Sequence, residues 1–316
     1  MTLLVTGSAG HLGEALMRTL RAAGEDVRGL DRLPSPFTTH VGSIDDDAFV
    51  ADAMRGVRAV IHAATLHKPH VATHSRQAFI DANVSGTLTL LEAAVAAGAR
   101  AFVYTSTTSA FGSALTPAPG APAAWITEAV APIPRNIYGV TKLAAESLCE
   151  LFHRDQGLPV VVLRSARFFP EADDNAAVAG AYDLANVQAN ELLYRRAELE
   201  DVVGAHLLAV SRAPEIGFGR YVVSATTPFG WEELAELGED APAVVRRIFP
   251  DFEAIYAARG WRMFPRLDRV YVNAAARRDL GWRPKHDFRR ALDCLARGEE
   301  FGSDLARVVG SKGYSG

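Results

Sequence analysis

Two hydrophobic periods alternate along this chain, and the alternation predicts its architecture. Short, nearly continuous apolar runs read as strands: Leu3 to Thr6, Asp26 to Asp31, His40 to Gly42, Arg58 to Ala64, Ala101 to Ser106, Pro159 to Leu163 and Gly219 to Ser224. Strands this apolar are buried on both faces, as in a parallel sheet covered by helices. Between them, apolar residues recur every three or four positions. Leu12, Leu16 and Leu20 stripe a helix that Gly24 closes, and Asp45, Asp46 and Asp47 form the acidic first turn of another. Further helices are predicted over Ser75 to Ala97, Ile137 to Gln156 and Asp201 to Ala213. This rhythm of strand and helix means an α/β fold built on a doubly wound parallel sheet. Ligands of such a sheet sit at the carboxyl ends of its strands.

The rhythm breaks twice. Between Phe111 and Asn136, Pro117, Pro119, Pro122, Pro132 and Pro134 make a structureless connection too long for a turn, as lids and binding loops are. Past Pro170 an acidic patch (Glu171, Asp173, Asp174) opens a mixed segment. From Trp231 onward the chain reads as mostly helical, with Trp261, Phe264 and Trp282 as its own aromatic packing. The chain therefore divides into a larger part over 1–170, which also receives about 199–226, and a smaller one over 171–316.

Composition narrows the partners. The 316 residues are 49% hydrophobic and 22% charged, ordinary for a globular protein, and a net charge of −4 argues against nucleic acid. Cys149 and Cys294 are far apart and lack metal spacing, which fits a reducing compartment. The first residues already read as a core strand rather than a signal peptide, and no uncharged apolar run would span a bilayer. The expectation is a cytoplasmic protein without membrane contact.

Two stretches carry chemistry. In Thr6-Gly7-Ser8-Ala9-Gly10-His11-Leu12-Gly13, three glycines at spacing three join a strand to a helix. Such a turn lets backbone approach a pyrophosphate at the helix N-terminus. The acid Asp31 ends the second strand at about the 20-residue distance at which a dinucleotide fold meets the adenosine ribose. Its alternative reading is a turn former. Farther on, Tyr138 and Lys142 stand four apart on one helix face. A phenol is a poor base at neutral pH, and a nearby ammonium together with an oxidised nicotinamide favours the phenolate. Hydroxyls at Thr105, Ser106, Thr107, Thr108 and Ser109 crowd the end of the fifth strand, where a substrate oxygen would be oriented.

These motifs together resemble the extended short-chain dehydrogenase/reductases, the NAD-dependent epimerase/dehydratase family that includes UDP-glucose 4-epimerases and uronate dehydrogenases. The matching stretches are TGSAGHLG from Thr6, VIHAAT from Val60, NVSGT from Asn83, FVYTSTTSAFG from Phe102, YGVTK from Tyr138, VVLR from Val161, LEDVVGAHLLA from Leu199 and RRDLGWRP from Arg277. The resemblance implies a Rossmann-type sheet with a smaller, mostly helical substrate-binding part. It implies Tyr138 as general acid/base, Thr107 on the reacting oxygen, and Lys142 as the group that lowers the tyrosine pKa and holds the nicotinamide ribose. It draws the cofactor site from Gly7, Gly10, His11, Leu12 and Gly13, from Asp31 and Arg32, and from Ser43 and Ile44. Ala63, Ala64, Thr65, Asn83, Thr105, Tyr138 and Lys142 complete that site. Asp31 then favours NAD over NADP, although Arg32 beside it would pair with a 2′-phosphate. A homodimer through the helices around Ser75–Ala97 and Ile137–Gln156 is also implied.

Departures from the family pattern concern the substrate. Where nucleotide-sugar enzymes carry an Asn after the sixth strand this chain has Arg167, and the segment behind it is short. Arg167 would clamp a carboxylate or phosphate, or else pair structurally with Glu171 or Asp173. Thr108 and His67 are further substrate candidates. His62 reads as structural. His70 and His74 have the spacing of metal ligands, but Pro69 and the lack of nearby acids argue for no metal. The expected reaction is hydride transfer at a secondary alcohol or ketone carbon of a sugar or sugar-nucleotide-like substrate. The alternatives are net oxidation of a small sugar acid or other non-nucleotide alcohol, and a non-catalytic dinucleotide-binding regulator.

Overall fold

The computed structural model describes residues 2–170 and 176–312. In chain order, β1 (Thr2–Thr6) leads through α1 (His11–Ala22) to β2 (Val27–Asp31) and β3 (His40–Val41). Then come α2 (Asp47–Ala53), β4 (Val57–His62), α3 (Arg76–Ile80), α4 (Gly86–Ala96) and β5 (Ala101–Thr107). After β6 (Ala124–Ile126) follow α5 (Ile137–Gln156), β7 (Val160–Ser165), β8 (Arg167–Phe168), α6 (Ala176–Ala181), α7 (Leu184–Leu192) and β9 (Arg196–Ala197). Next are α8 (Leu199–Ile216), β10 (Phe218–Val223), α9 (Leu234–Leu237), α10 (Ala241–Ile248) and α11 (Phe252–Ala257). The chain closes with β11 (Arg269–Tyr271), α12 (Ala274–Asp279), α13 (Phe288–Ala296) and α14 (Asp304–Val309).

Seven strands form one parallel sheet in the order β10-β7-β5-β4-β1-β2-β3. The winding reverses between β1 and β4, which opens a crevice at their carboxyl ends. Side chains alternate across the sheet as strand geometry demands. Leu3, Val5, Ala59, Ile61 and Val103 enter the core shared with α1 and α8, while Leu4, Val60, Phe102 and Tyr104 enter the one shared with α2, α4 and α5. Both faces are covered, which is why the strand sequences are apolar throughout.

Two expectations need correction. The helix read over Ser75–Ala97 is interrupted, because α3 and α4 are joined by a π turn at Asp81–Ser85. Such wide turns recur at functional sites, and this one carries Asn83. The connection from Phe111 to Asn136 is ordered rather than structureless. Gly112, at φ +56°, lies so close to Ile133 that a Cβ would sit 1.9 Å from its carbonyl oxygen. Ser113 N donates to that same oxygen, and β6 pairs in parallel with β11 of the carboxyl-terminal part. That part is therefore mostly helical but anchored by a strand. The acidic patch at Glu171, Asp173 and Asp174 lies outside the described residues. Cys149 and Cys294 are free and buried. Among the described residues, no helix is long and apolar enough to cross a membrane.

A polar clasp ties the last third of the chain to the start of α8. Asp201 accepts from Lys285 N, His286 N and His286 Nδ1, and Glu198 accepts from Ser303 N and Oγ. Burial pushes the His286 pKa down, but its bond to Asp201 and the charges of Asp201 and Glu198 outweigh burial and hold it above the ordinary value. A raised folded-state pKa contributes stability that is present below the unfolded value and is lost as pH rises through the folded one. His286→Ala is therefore expected to cost about 1–3 kcal/mol under mildly acidic conditions. In thermal melts the gap to wild type should shrink as pH rises into the alkaline range, and a gap independent of pH would contradict the clasp.

Candidate functional site

The glycine turn stands at the crevice. Gly7 takes φ +74°, and a Cβ there would sit 2.8 Å from Ala64 N, so only glycine lets this turn lie against the end of β4. At Gly13 a Cβ would fall 1.8 Å from the Gly7 oxygen, which seats α1 tightly on β1. Gly10, the N-cap of α1, has no side chain with which to cap the helix's first N–H groups. Asp31 reaches back to this loop, its Oδ2 accepting from Ala9 N at 2.9 Å and its Oδ1 from Leu33 N at 2.9 Å. The uncapped helix end, the cradle a Cβ would fill and the adjacent carboxylate fit a dinucleotide's pyrophosphate and ribose.

Around the turn the expected positions play different parts. Arg32 is exposed and Leu12 is buried in the core. The His11 ring lies 5.3 Å from that of Phe168, which brings β8 against the glycine loop. Ile44 is core as well, packed so closely that a Cβ on Gly86 would meet it, and Ser43 is half-buried beside it. Ala63 and Ala64 hang on Thr6 through backbone bonds to its carbonyl and hydroxyl. His62 is held by Thr6 Oγ1 at 2.7 Å and Thr87 Oγ1 at 3.0 Å, and burial lowers its pKa to about 3. It is a neutral core histidine, as the sequence indicates.

Asn83 takes a part that its motif alone does not reveal. Its Oδ1 accepts from Thr65 Oγ1 and Leu66 N, and its Nδ2 donates to Leu66 O and Thr141 Oγ1. The amide's capacity is used up within the protein. Asn83 thereby locks the loop after β4 to α5.

The other end of the crevice lies where β5 meets α5. Asn136 caps α5 by accepting from Gly139 N, which sets Tyr138 in the first turn. The Tyr138 hydroxyl hydrogen-bonds Thr107, whose Oγ1 also accepts from Ser109 N. One turn along, the Lys142 Nζ donates to the Thr105 carbonyl at 2.6 Å and lies 4.2 Å over the Tyr104 ring. Burial lowers Lys142 to about 7 against the opposing charge of Glu146, and burial raises Tyr138 to about 12 against the Thr107 bond. The protein alone thus makes the phenol less acidic, the reverse of the lowering expected from Lys142. Additional positive charge in the cleft is needed to bring it down.

His206 on α8 is a neighbour the sequence reading missed. Its Nδ1 donates to Val202 O, so its Nε2 accepts from the Thr105 hydroxyl at 2.9 Å, and burial lowers its pKa to about 4. It stands 101 positions from Thr105. Its one sequence signal is a polar residue on an otherwise apolar helix stripe.

Substrate candidates ring this end. The His67 ring is 6.2 Å from that of Tyr138, and Thr108 is buried just past Thr107. Arg167 on β8 pairs across from Arg196, which feels its charge. The His70 and His74 rings meet edge to face at 5.0 Å, and the Nδ1 of each is engaged, by His67 N and Thr73 Oγ1 respectively.

Comparison with known proteins agrees with this geometry. A 3-beta-hydroxysteroid dehydrogenase of Mycolicibacterium neoaurum is 37% identical over 116 residues, 34% of this chain but only 32% of that protein. Sterol demethylase protein B of Methylococcus capsulatus is 30% identical over 71% of this chain and 70% of its own. A solved short-chain dehydrogenase/reductase superfamily protein of Agrobacterium tumefaciens, with bound NAD, superposes at a TM-score of 0.67 and 25% identity. That match covers 94% of this chain and 96% of the other. The family model described as NAD dependent epimerase/dehydratase matches residues 3–196, from the glycine turn through the three catalytic candidates to β9. With the sheet, the turn and the family model in agreement, the chain belongs to the NAD-dependent epimerase/dehydratase family of short-chain dehydrogenase/reductase enzymes.

Proposed function

We propose that this protein moves hydride between NAD and a secondary alcohol or ketone carbon of a sugar or sugar-nucleotide-like substrate. The observation that carries the reading is the convergence of Thr107, Tyr138 and Lys142 at the end of β5, in the same crevice as the uncapped α1 terminus. Tyr138 takes or gives the hydroxyl proton of the substrate at its phenolic oxygen. Thr107 orients the reacting oxygen through the hydroxyl it shares with Tyr138. Lys142 supplies positive charge that favours the phenolate and, released from Thr105 O, reaches the nicotinamide ribose. The bound nicotinamide supplies the hydride acceptor and the further positive charge that a tyrosine at about 12 requires. Gly10, His11 and Gly13 hold the pyrophosphate, and Ala63, Ala64, Thr65 and Thr105 wall the cofactor channel. Asp31 favours NAD, since a 2′-phosphate would face its carboxylate. We place the enzyme in the cytoplasm, as a homodimer through the outer faces of α4 and α5, where Val140 and Leu151 are exposed.

Arg196 is paired with Glu191, and Arg167, set opposite it between β8 and β9, is the guanidinium that would meet an anionic group on the substrate. His67 and Thr108 would contact the sugar near the reacting carbon. The relatives named for steroid chemistry favour a second reading, an apolar substrate bearing a 3β-hydroxyl.

Tyr138→Phe should lower turnover by about 10²–10⁴-fold while leaving NAD affinity nearly unchanged. Turnover at the wild-type rate would remove Tyr138 from the chemistry. A panel of uronates, aldoses, UDP-sugars and 3β-hydroxysteroids, followed by reduced-nicotinamide absorbance and epimer formation, should respond to an anionic sugar and to NAD over NADP. Arg167→Ala should then raise KM by about tenfold or more. Response to the steroid alone selects the second reading, and equal rates with NAD and NADP would refute the part given to Asp31.

A further inference from the structure

Positions four apart on α5 carry Tyr138, Lys142 and Glu146, so the catalytic stripe continues into a third ionisable side chain one turn deeper. All three are buried, Glu146 to 2% exposure, and the proposed chemistry gives Glu146 no part. Its carboxylate accepts from Arg164 Nε and Nη2 on β7, with the shortest contact at 2.8 Å. Ser106 Oγ donates to it at 2.5 Å, and Arg220 Nε on β10 stands 3.5 Å away. Ser106 lies between Thr105, whose carbonyl receives the Lys142 ammonium, and Thr107. The carboxylate thus backs the strand end that presents both groups.

We propose that Glu146 is a positioning residue whose carboxylate keeps Lys142 in its ammonium form against the end of β5.

The groups around Lys142 single out Glu146. On α5 these are Tyr138, Glu146 and Cys149, on β5 the Tyr104 ring, and on β4 His62. Burial pushes the Cys149 thiol, the Tyr104 phenol and Tyr138 upward and His62 down to about 3, so all four are neutral near pH 7. Arg164 and Arg220 pair with Glu146 itself, and Arg220 also pairs with Glu150. Glu146 is the carboxylate that opposes the burial holding Lys142 at about 7. Without it, Lys142 would be an amine at neutral pH, with less pull on the phenolate and a weaker bond to the Thr105 carbonyl.

This inference rests on the proposed Tyr138–Lys142 pair, but its test needs no substrate. The chain has four lysines, Lys68, Lys142, Lys285 and Lys312, and of these only Lys142 is buried. Protein labelled with ¹³C at the lysine ε-carbon gives one NMR signal per lysine, and Lys142→Arg assigns the one of interest. Glu146→Gln should lower the Lys142 midpoint by about 1–3 units, while Glu146→Asp, which keeps the carboxylate, should restore most of it. Arg164→Met should move the midpoint upward, because it removes a competing cation and leaves Glu146 partnered by Arg220. A midpoint unmoved by Glu146→Gln, or left level or lowered by Arg164→Met, overturns the proposal. If Glu146→Gln does not fold, Arg164→Met decides alone. An unmoved midpoint beside an inactive Tyr138→Phe rejects the part given to Glu146 and keeps the reaction. A moved midpoint beside an active Tyr138→Phe does the reverse.

Discussion

Burying a lysine ammonium is costly unless partners replace its water, and the architecture of this crevice follows from doing so at Lys142. The partners come from three directions: the Thr105 carbonyl, the Tyr104 ring face and the Glu146 charge. Each fixes a piece of structure. The carbonyl requires β5 to end at that height, the ring must come from the same strand, and Glu146 must lie one turn farther along α5. That register leaves Tyr138 one turn the other way, in the first turn of α5, beside Thr107. The face that α5 turns to the crevice meets the solvation needs of one cation.

The same crevice has a second constraint at its far end. Gly7 and Gly13 permit a turn so tight that α1 points an uncapped N-terminus into the cleft, with Asp31 beside the loop. Between the two ends lies the loop after β4. It is held by Asn83, which spends every hydrogen bond of its amide on Thr65, Leu66 and Thr141. The π turn at Asp81–Ser85 gives Asn83 that reach. The backbone between the two ends of the crevice is therefore held in place by the protein itself.

Much of this was legible in the sequence because it is local. The strands could be read since burial on two faces leaves unbroken apolar runs, and the glycine turn and the Tyr138–Lys142 spacing each lie within one element. What escaped is what depends on distant partners. The three residues of β6 are too few to show a period, and their partner β11 lies in the carboxyl-terminal part. The interruption of the Ser75–Ala97 helix has no proline to mark it, only Gly86 at the start of α4, and the π turn there carries Asn83. Ile44 packs against Gly86, 42 positions away, and His206 meets Thr105 only once α8 has packed on the sheet. Periodicity gives the direction of Tyr138, but its raised pKa depends on burial that periodicity does not describe.

The central claim is that the α1 terminus and the Tyr138–Lys142 pair are two ends of one cofactor site. A crystal structure of the protein with NAD tests it most directly. The pyrophosphate should lie over Gly10 to Gly13 and the adenosine ribose on Asp31, with Lys142 turned from Thr105 O toward the nicotinamide ribose and the ring beside Thr107 and Tyr138. NAD bound elsewhere, or bound with its nicotinamide away from Tyr138 and Lys142 still on Thr105 O, would contradict it.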